Sequence, residues 1–183
     1  MAADERRSAI IAATIPLLRT RGWTVTTKEI RTAAQVSDGT IFSVFETKEE
    51  LLLAALEAAL DPQPALDRLA GIDPALPLEQ RLLEAIEVLQ GLATQIWDMM
   101  TTLQLEEVRG RMPQRWTAEN FVRDILPPLF EPSRAELGVE PAVASQALLA
   151  LTLGGANPIF FKNPLRPAEI VAVLLGGIGR PPA

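Results

Sequence analysis

The residues between 37 and 43 are small, hydroxylated or aromatic, and such side chains suit close contact with a nucleic acid. Hydroxyl groups can bond to base edges or phosphates, and an aromatic ring can pack on the methyl group of thymine. Ile41 and Phe45 are four residues apart, so they share one inward face of a helix. The side chains left for the remaining faces are Ser37, Asp38, Gly39, Thr40, Phe42 and Ser43.

A capped helix is predicted immediately before this cluster, over residues 27 to about 34. Thr26 or Thr27 can act as its N-cap, and Glu29 is close enough to complement the amide groups of the first turn. After a short polar break, Ser37 is suited to cap the next helix, because its hydroxyl can accept from an amide of the following turn.

A third helix follows, opened by Thr47 and Glu50 at the spacing of a capping box. Its apolar residues continue through Leu56. Two short helices joined by a tight break, with a third behind them, are typical of a helix-turn-helix. The motif covers about residues 27–46, and its second helix is expected to enter the DNA major groove.

The stretch from Arg7 to about Leu56 resembles the N-terminal domain of the TetR family of bacterial transcriptional repressors. The resemblance implies an all-α fold, with a three-helix DNA-binding domain at residues 1–47 and a larger helical ligand-binding and dimerisation domain at 48–183. The matching residues are Ile10/Ala13/Leu17, Gly22-Trp23, Thr26-Thr27, Val36-Ser37, Gly39-Thr40-Ile41-Phe42, Phe45 and Lys48-Glu49.

The resemblance also implies a function and a set of contacts. The expected protein is a repressor that binds a near-palindromic operator as a homodimer and is released by an unknown small-molecule effector. Thr27, Lys28 and Lys48 would position the complex on phosphates. The full set of expected DNA-binding residues is Thr27, Lys28, Ser37, Asp38, Gly39, Thr40, Phe42, Ser43 and Lys48.

Five departures from the family pattern bear on DNA binding or on the first helix. Gln35 replaces a glycine of the turn, so a positive φ there carries a steric cost. Phe42 lacks the hydroxyl of the usual tyrosine, and Val44 stands where histidine is common. Asp38 repels the DNA backbone unless it accepts from a cytosine amino group. Pro16 is expected to kink the first helix.

Charge and composition exclude several functions. Residues 1–50 carry equal numbers of basic and acidic side chains, so the net charge of −6 belongs to the remainder. Binding should therefore depend on the local placement of Lys28, Lys48 and Arg6/Arg7. The chain has no cysteine and no histidine, which removes disulfides, thiolate metal sites and the usual general base. We expect no cofactor, no metal and no enzyme activity.

A cytoplasmic location is the simplest expectation. No apolar run reaches the ~18 residues that span a bilayer, and the first five residues, Met-Ala-Ala-Asp-Glu, do not form a signal peptide.

Helices separated by proline and glycine are predicted for the rest of the chain. One runs over about 78–95, another over 96–108, and a longer one from about 115 until Pro127-Pro128 interrupts it. Bulky side chains gather in this region, and Trp97, Met100 and Phe121 are the candidate ligand-binding residues. Ordinary core packing is the alternative interpretation of the same pattern.

Two nearly uncharged helices are predicted at about 141–155 and 167–178. They match the family's dimerisation helices in position, so we expect a homodimer through them. A buried helical hairpin within one chain is the alternative.

Two functions from other classes compete with the repressor. A TetR-like fold that has lost specific DNA binding could act as an interaction module, which Asp38, Phe42 and the neutral domain charge favour. An α-helical enzyme would need a carboxylate such as Asp98 at its centre, and no second catalytic group stands at a telling spacing from it.

Overall fold

A computed structural model of the protein describes residues 3–103, 118–157 and 160–177. These residues form helices, turns and irregular segments without a strand, which confirms the all-α prediction. None of the described helices is both long and apolar enough to cross a membrane. The α-helices are α1 (Ala3–Arg21), α2 (Thr27–Ala34), α3 (Asp38–Phe42), α4 (Lys48–Ala59), α5 (Gln63–Ala70), α6 (Leu78–Thr102), α7 (Pro141–Gly155) and α8 (Pro167–Gly176).

Shorter helical segments complete the secondary structure. Gly22–Thr24 is a 3-10 turn that follows α1. Ala118–Asn120 is one turn of α-helix, which continues as a π-helix over Phe121–Ile125. Two 3-10 segments, Pro127–Leu129 and Glu131–Glu136, then lead towards α7.

The chain divides into two compact units. Described residues 3–61 and 95–103 belong to the first unit, and the other described residues belong to the second. The first unit therefore contains the predicted DNA-binding domain of residues 1–47 together with α4 and the end of α6. A functional boundary at residue 47 stays a prediction, because a packing unit need not coincide with a functional domain.

The core of the first unit forms where α1 packs against α2 and α4. Leucine and isoleucine from every helix of the unit contribute to it, and their burial supplies most of the stabilisation. The central residues are Ile10, Leu18, Ile30, Ile41, Phe45, Leu51, Leu52, Leu56, Met99 and Leu103.

The core of the second unit forms around the first four turns of α6 and the hairpin of α7 and α8. Leu148 of α7 and Ile170 of α8 are fully buried. The other central residues are Leu82, Ile86, Leu89, Phe121, Leu126, Phe130, Leu149 and Val171.

Two helix boundaries differ from the sequence prediction. α6 is one helix of 25 residues, so the predicted break between residues 95 and 96 is wrong. Gly91 lies inside it, and a single helical glycine costs only about 1 kcal/mol. The sequence pattern does not predict α5, because Pro64 resembles a helix breaker, whereas proline is well tolerated in a first helical turn.

The other predicted boundaries agree with the structure where it describes them. α2, α7 and α8 lie within two residues of their predicted limits. Pro127 and Pro128 interrupt the helical segment as expected. α1 continues through Pro16. The predicted helix beyond residue 103, and the start near residue 115, lie outside the described residues.

Gln35 ends α2 in the left-handed conformation, with φ 54° and ψ 42°. The steric cost expected from the sequence is therefore present. Gln35→Gly should raise the free energy of unfolding by about 0.5–1 kcal/mol, because the relief of Cβ strain exceeds the added entropy of the unfolded chain. Chemical denaturation measures the change.

Gln35→Ala is the matched control, because alanine keeps the Cβ and the strain. It should give no stabilisation. Equal gains for glycine and alanine would show that the glutamine side chain, and not the backbone conformation, is unfavourable.

Candidate nucleic-acid interface

A complete capping box begins α2. The Thr26 hydroxyl accepts from the amide of Glu29 at 3.3 Å, and a Glu29 carboxylate oxygen accepts from the amide of Thr26 at 2.9 Å. Arg21 forms an ion pair with the same carboxylate. These contacts satisfy two otherwise unpaired amides and set the direction in which α2 leaves the preceding turn.

The turn between α2 and α3 is closed by backbone hydrogen bonds. The amides of Gln35 and Val36 both donate to the carbonyl of Arg31, the latter at 3.1 Å. Ser37 then caps α3, and its hydroxyl accepts from the amide of Thr40 at 3.2 Å. The sequence predicted this cap correctly.

The short helix α3 separates an inner face from an outer face. Ile41 and Phe45 are each 1% exposed, whereas Phe42 between them is 51% exposed. Gly39 and Ser43 are also exposed. An aromatic ring on the outside of a helix is available for contact with a partner, and its neighbours are small enough to permit close approach.

The hydroxyl groups of α3 are bonded within the motif. Ser37 and Thr40 share a hydrogen bond at 2.9 Å, and Ser43 donates to the carbonyl of Thr40 at 2.8 Å. These bonds hold the hydroxyls in defined positions while leaving further acceptor capacity on each oxygen. Thr27 is half-buried in the first turn of α2.

Arginine side chains in this unit are engaged by neighbouring acidic groups. Arg31 contacts Asp38 at 3.3 Å, so the carboxylate at the start of α3 has a local counter-ion. Sequence reasoning had not singled out Arg31. The two residues lie on different helices, and only the tight turn brings them together.

Arg7 is also held within the unit. Its guanidinium lies 4.3 Å from the centre of the Phe45 ring and donates to the Val44 carbonyl at 3.3 Å. Glu50 lies 3.5 Å away. The Glu50 carboxylate accepts from the amide of Glu46 at 2.8 Å. Arg7 therefore ties α1 to the segment after α3, which differs from its expected place at the DNA backbone.

The two lysines of the motif have no such partners. Among the described residues, no hydrogen bond or ion pair involves the ammonium group of Lys28 or Lys48. Lys28 is exposed and Lys48 is half-buried at the first position of α4. A cation at a helix N-terminus is locally unfavourable, so the place of Lys48 is not explained by helix stability.

The candidate ligand-binding residues divide between the two units. Trp97 and Met100 lie on α6 in the first unit and are half-buried, and Phe121 lies in the core of the second unit. Three of the cavities that described residues line contain none of Trp97, Met100 and Phe121. Their role in ligand binding stays a prediction.

These features define the first unit as a helix-turn-helix of the kind that DNA-binding proteins use. It has two capped helices, a tight turn, a buried anchor on the second helix and an exposed face with unpaired cations beside it.

Comparison with known proteins finds a family match for the N-terminal part of the chain. Residues 10–55 match the family described as "Bacterial regulatory proteins, tetR family". No curated protein matches the chain. The sequence match covers about a quarter of the 183 residues, and the similarity of fold described next extends over nearly the whole chain. The match assigns residues 10–55 to this family of regulatory proteins, and the likeness over the rest of the chain is one of fold.

Three solved structures illustrate the similarity of fold. Reduced NemR from E. coli has a TM-score of 0.64 at 20% identity, over 97% of this chain and 100% of that one. FadR from Bacillus subtilis, in complex with stearoyl-CoA, has a TM-score of 0.59 at 18% identity, over 94% and 99%. NalD, the secondary repressor of the MexAB-OprM multidrug efflux pump in Pseudomonas aeruginosa, has a TM-score of 0.54 at 24% identity, over 98% and 100%.

The contacts of Arg7 generate a prediction about stability. Arg7→Met should lower the free energy of unfolding by about 1 kcal/mol, because it removes a cation–π contact and a hydrogen bond to a carbonyl. Urea denaturation followed by circular dichroism measures the change. Lys28→Met is the control, since it removes an exposed charge without a partner and should leave stability within ~0.5 kcal/mol. Equal losses for both variants would contradict a structural role for Arg7.

Proposed function

We propose that this protein is a transcriptional repressor that binds a near-palindromic operator as a homodimer and is released from it by a small-molecule effector. The observation that carries the proposal is the exposed ring of Phe42 above the buried pair Ile41 and Phe45. Burial fixes the helix, and exposure leaves its outer face available for a major groove.

Base contacts in the proposed complex come from the outer face of α3. The Phe42 ring is suited to the methyl group of a thymine, and Thr40 and Ser43 can bond to base edges. Gly39 permits close approach to the backbone. Asp38 can accept from a cytosine amino group, and Arg31 beside it reduces the repulsion between that carboxylate and the phosphates.

Phosphate contacts are expected from the cations of the motif that have no partner among the described residues. Lys28 and Lys48 meet this condition, and Thr27 can add a hydroxyl. The arginines at 7, 21 and 31 are already paired with acidic residues. Few positive charges are thus available, so binding without sequence preference should be weak.

Dimerisation is expected through the outer faces of α7 and α8. Neither face carries a charge apart from Glu169, and small residues predominate on both. Exposed Ala150 and Ala172 would let two helices approach closely, and exposed Val143 and Leu175 supply apolar area. Two such hairpins can form a four-helix bundle with two-fold symmetry.

Release by an effector requires two conformations, one that binds DNA and one that does not. A ligand shifts the equilibrium between them only if it binds one conformation more tightly than the other. The helix over residues 48–60 is expected to link the two domains and is the proposed lever. The structure of FadR from Bacillus subtilis is of a complex with stearoyl-CoA, and this similarity of fold supports the proposal of an organic effector.

The first test is selection of the purified protein on random duplex DNA, followed by titration of the winning site against salt. Enrichment of a two-fold symmetric site bound by a dimer is the expected result. No enrichment at low salt would contradict the proposal. It would favour the interaction module, which the neutral charge of residues 1–50 supports.

Lys48 provides a specific test of the phosphate contacts. Lys48→Ala should weaken binding to all operator sequences to a similar degree and lower the salt slope by about one unit per half-site. The free energy of unfolding should stay the same or rise, because the substitution removes a cation from a helix N-terminus. Fluorescence anisotropy over a salt series measures the slope.

Lys162→Ala is the matched control, since it removes an exposed lysine from the second unit. It should leave the slope unchanged. A change of sequence preference in Lys48→Ala would show that the lysine reads a base and does not only contact phosphate.

The dimer is tested by adding charge to the small-residue face. Ala150→Glu or Ala172→Glu should convert the dimer to a monomer, because each places an unpaired carboxylate in a closely packed interface. Sedimentation velocity measures the state. Ala58→Glu, at an exposed alanine of α4, is the control and should leave the dimer intact. A dimer that tolerates both substitutions in α7 and α8 would place the interface elsewhere.

A further inference from the structure

Arg81 is a buried cation in the second unit, and no carboxylate among the described residues pairs with it. Its side chain is 1% exposed on α6. One terminal nitrogen donates to the Pro74 carbonyl at 2.9 Å and the other to the Ser133 hydroxyl at 2.6 Å. The Nε–H group has no acceptor, and no described acidic residue forms an ion pair with the guanidinium.

A buried arginine usually has a carboxylate partner, whereas an exposed arginine can do without one. In the second unit this relation is reversed. A guanidinium keeps its charge in proteins, so its burial needs a counter-charge or a full set of acceptors. Three exposed arginines of the same unit each have a carboxylate partner, although solvent would stabilise them without one. These pairs are Arg123 with Asp124, Arg134 with Glu131 and Glu140, and Arg166 with Glu169.

Arg81 lines a cavity of about 470 Å³. This volume is typical of sites that bind small organic molecules. Most of the lining residues are apolar. The buried ones lie on α5, on the segment that follows α5 and on the 3-10 segment Pro127–Leu129. They include Leu69, Ile72 and Leu129, with Leu66 and Ile125 partly buried beside them.

The rim of the cavity carries two exposed carboxylates. Asp67 accepts from the Gln63 amide at 2.8 Å, and Asp124 is bonded to Arg123. The hydrogen bond from Arg123 holds the pKa of Asp124 below its usual value, so this rim group stays ionised. Two negative groups at the entrance disfavour a phosphate dianion, which leaves a singly charged ligand as the better fit.

Ser133 holds the guanidinium and is not itself a lining residue of the cavity. Its hydroxyl oxygen accepts from Arg81, and its own proton has no acceptor among the described residues. A ligand carboxylate in the cavity can accept from an N–H of Arg81, and charge-assisted bonds of this kind are the strong ones in proteins.

We propose that this cavity binds a small organic acid, whose single carboxylate accepts from Arg81 and whose apolar body packs on the leucine and isoleucine side chains. Binding depends only on the arrangement within the second unit. A role for this acid in operator release rests in addition on the proposed function.

The test uses 4-phenylbutyrate and its uncharged analogue 4-phenylbutyramide as probes, with affinities measured by calorimetry on the full chain. The acid should bind at least about 10-fold more tightly than the amide, because only the acid can complete the bonds of a charged donor. The side-chain Nε–H signal of Arg81 in nitrogen-15 NMR spectra should shift with the acid and not with sulfate.

Three variants assign the binding to this cavity. Arg81→Met should reduce the affinity for the acid at least about 10-fold and leave the affinity for the amide unchanged. Arg68→Met is the matched control, since it removes an exposed arginine of α5 that does not line the cavity. Ala70→Phe keeps Arg81 and fills the cavity from its rim, so it should abolish binding even if Arg81→Met fails to fold.

Equal affinities for acid and amide, or full binding by Ala70→Phe, would overturn the proposal. So would a shift of the Arg81 signal with sulfate as large as that with the acid. Binding of the acid without any effect on operator DNA would support the site while removing its regulatory role. Failure to find an operator would contradict the proposed function and leave the binding measurement unaffected.

Discussion

The orientation of α3 depends on two buried side chains, Ile41 and Phe45. A helix of five residues is not stable alone. The free-energy cost of helix nucleation exceeds the stabilisation that the hydrogen bonds of a single turn provide. Burial of these two residues in the core of the first unit therefore holds α3 in place, and the Ser37 cap defines its start. The same anchoring forces Phe42 outwards, so the proposed contact surface for DNA follows from the packing of the core.

In the first unit, Arg7, Arg21 and Arg31 are held by acidic side chains, whereas Lys28 and Lys48 remain available. Arg7, Arg21 and Arg31 each pair with a carboxylate, and Arg7 in addition packs on the ring that anchors α3. These exposed ion pairs contribute little to stability one by one, but they orient the motif. A formally neutral domain can thus still present Lys28 and Lys48 to phosphates.

Local features of the fold were predictable because their causes lie within a few residues. The capping box of Thr26 and Glu29, the cap at Ser37 and the limits of α7 and α8 all follow from short-range hydrogen bonds and apolar spacing. The strain at Gln35 was also predictable, since a turn of this kind needs a left-handed residue. The sequence pattern misleads at α5, where Pro64 stands in the first helical turn, and in α6, which continues without a break past residue 95.

The sequence by itself determined the helix-turn-helix, the all-α class and the uncharged character of the last two helices, because each depends on neighbours in the chain. Tertiary structure alone decided that Arg31 meets Asp38, that Arg7 packs on Phe45, and that Arg81 is buried without a carboxylate. These contacts join residues 7 to 52 positions apart. Such pairs form only when helices pack, and helical periodicity carries no information about which distant side chains then become neighbours.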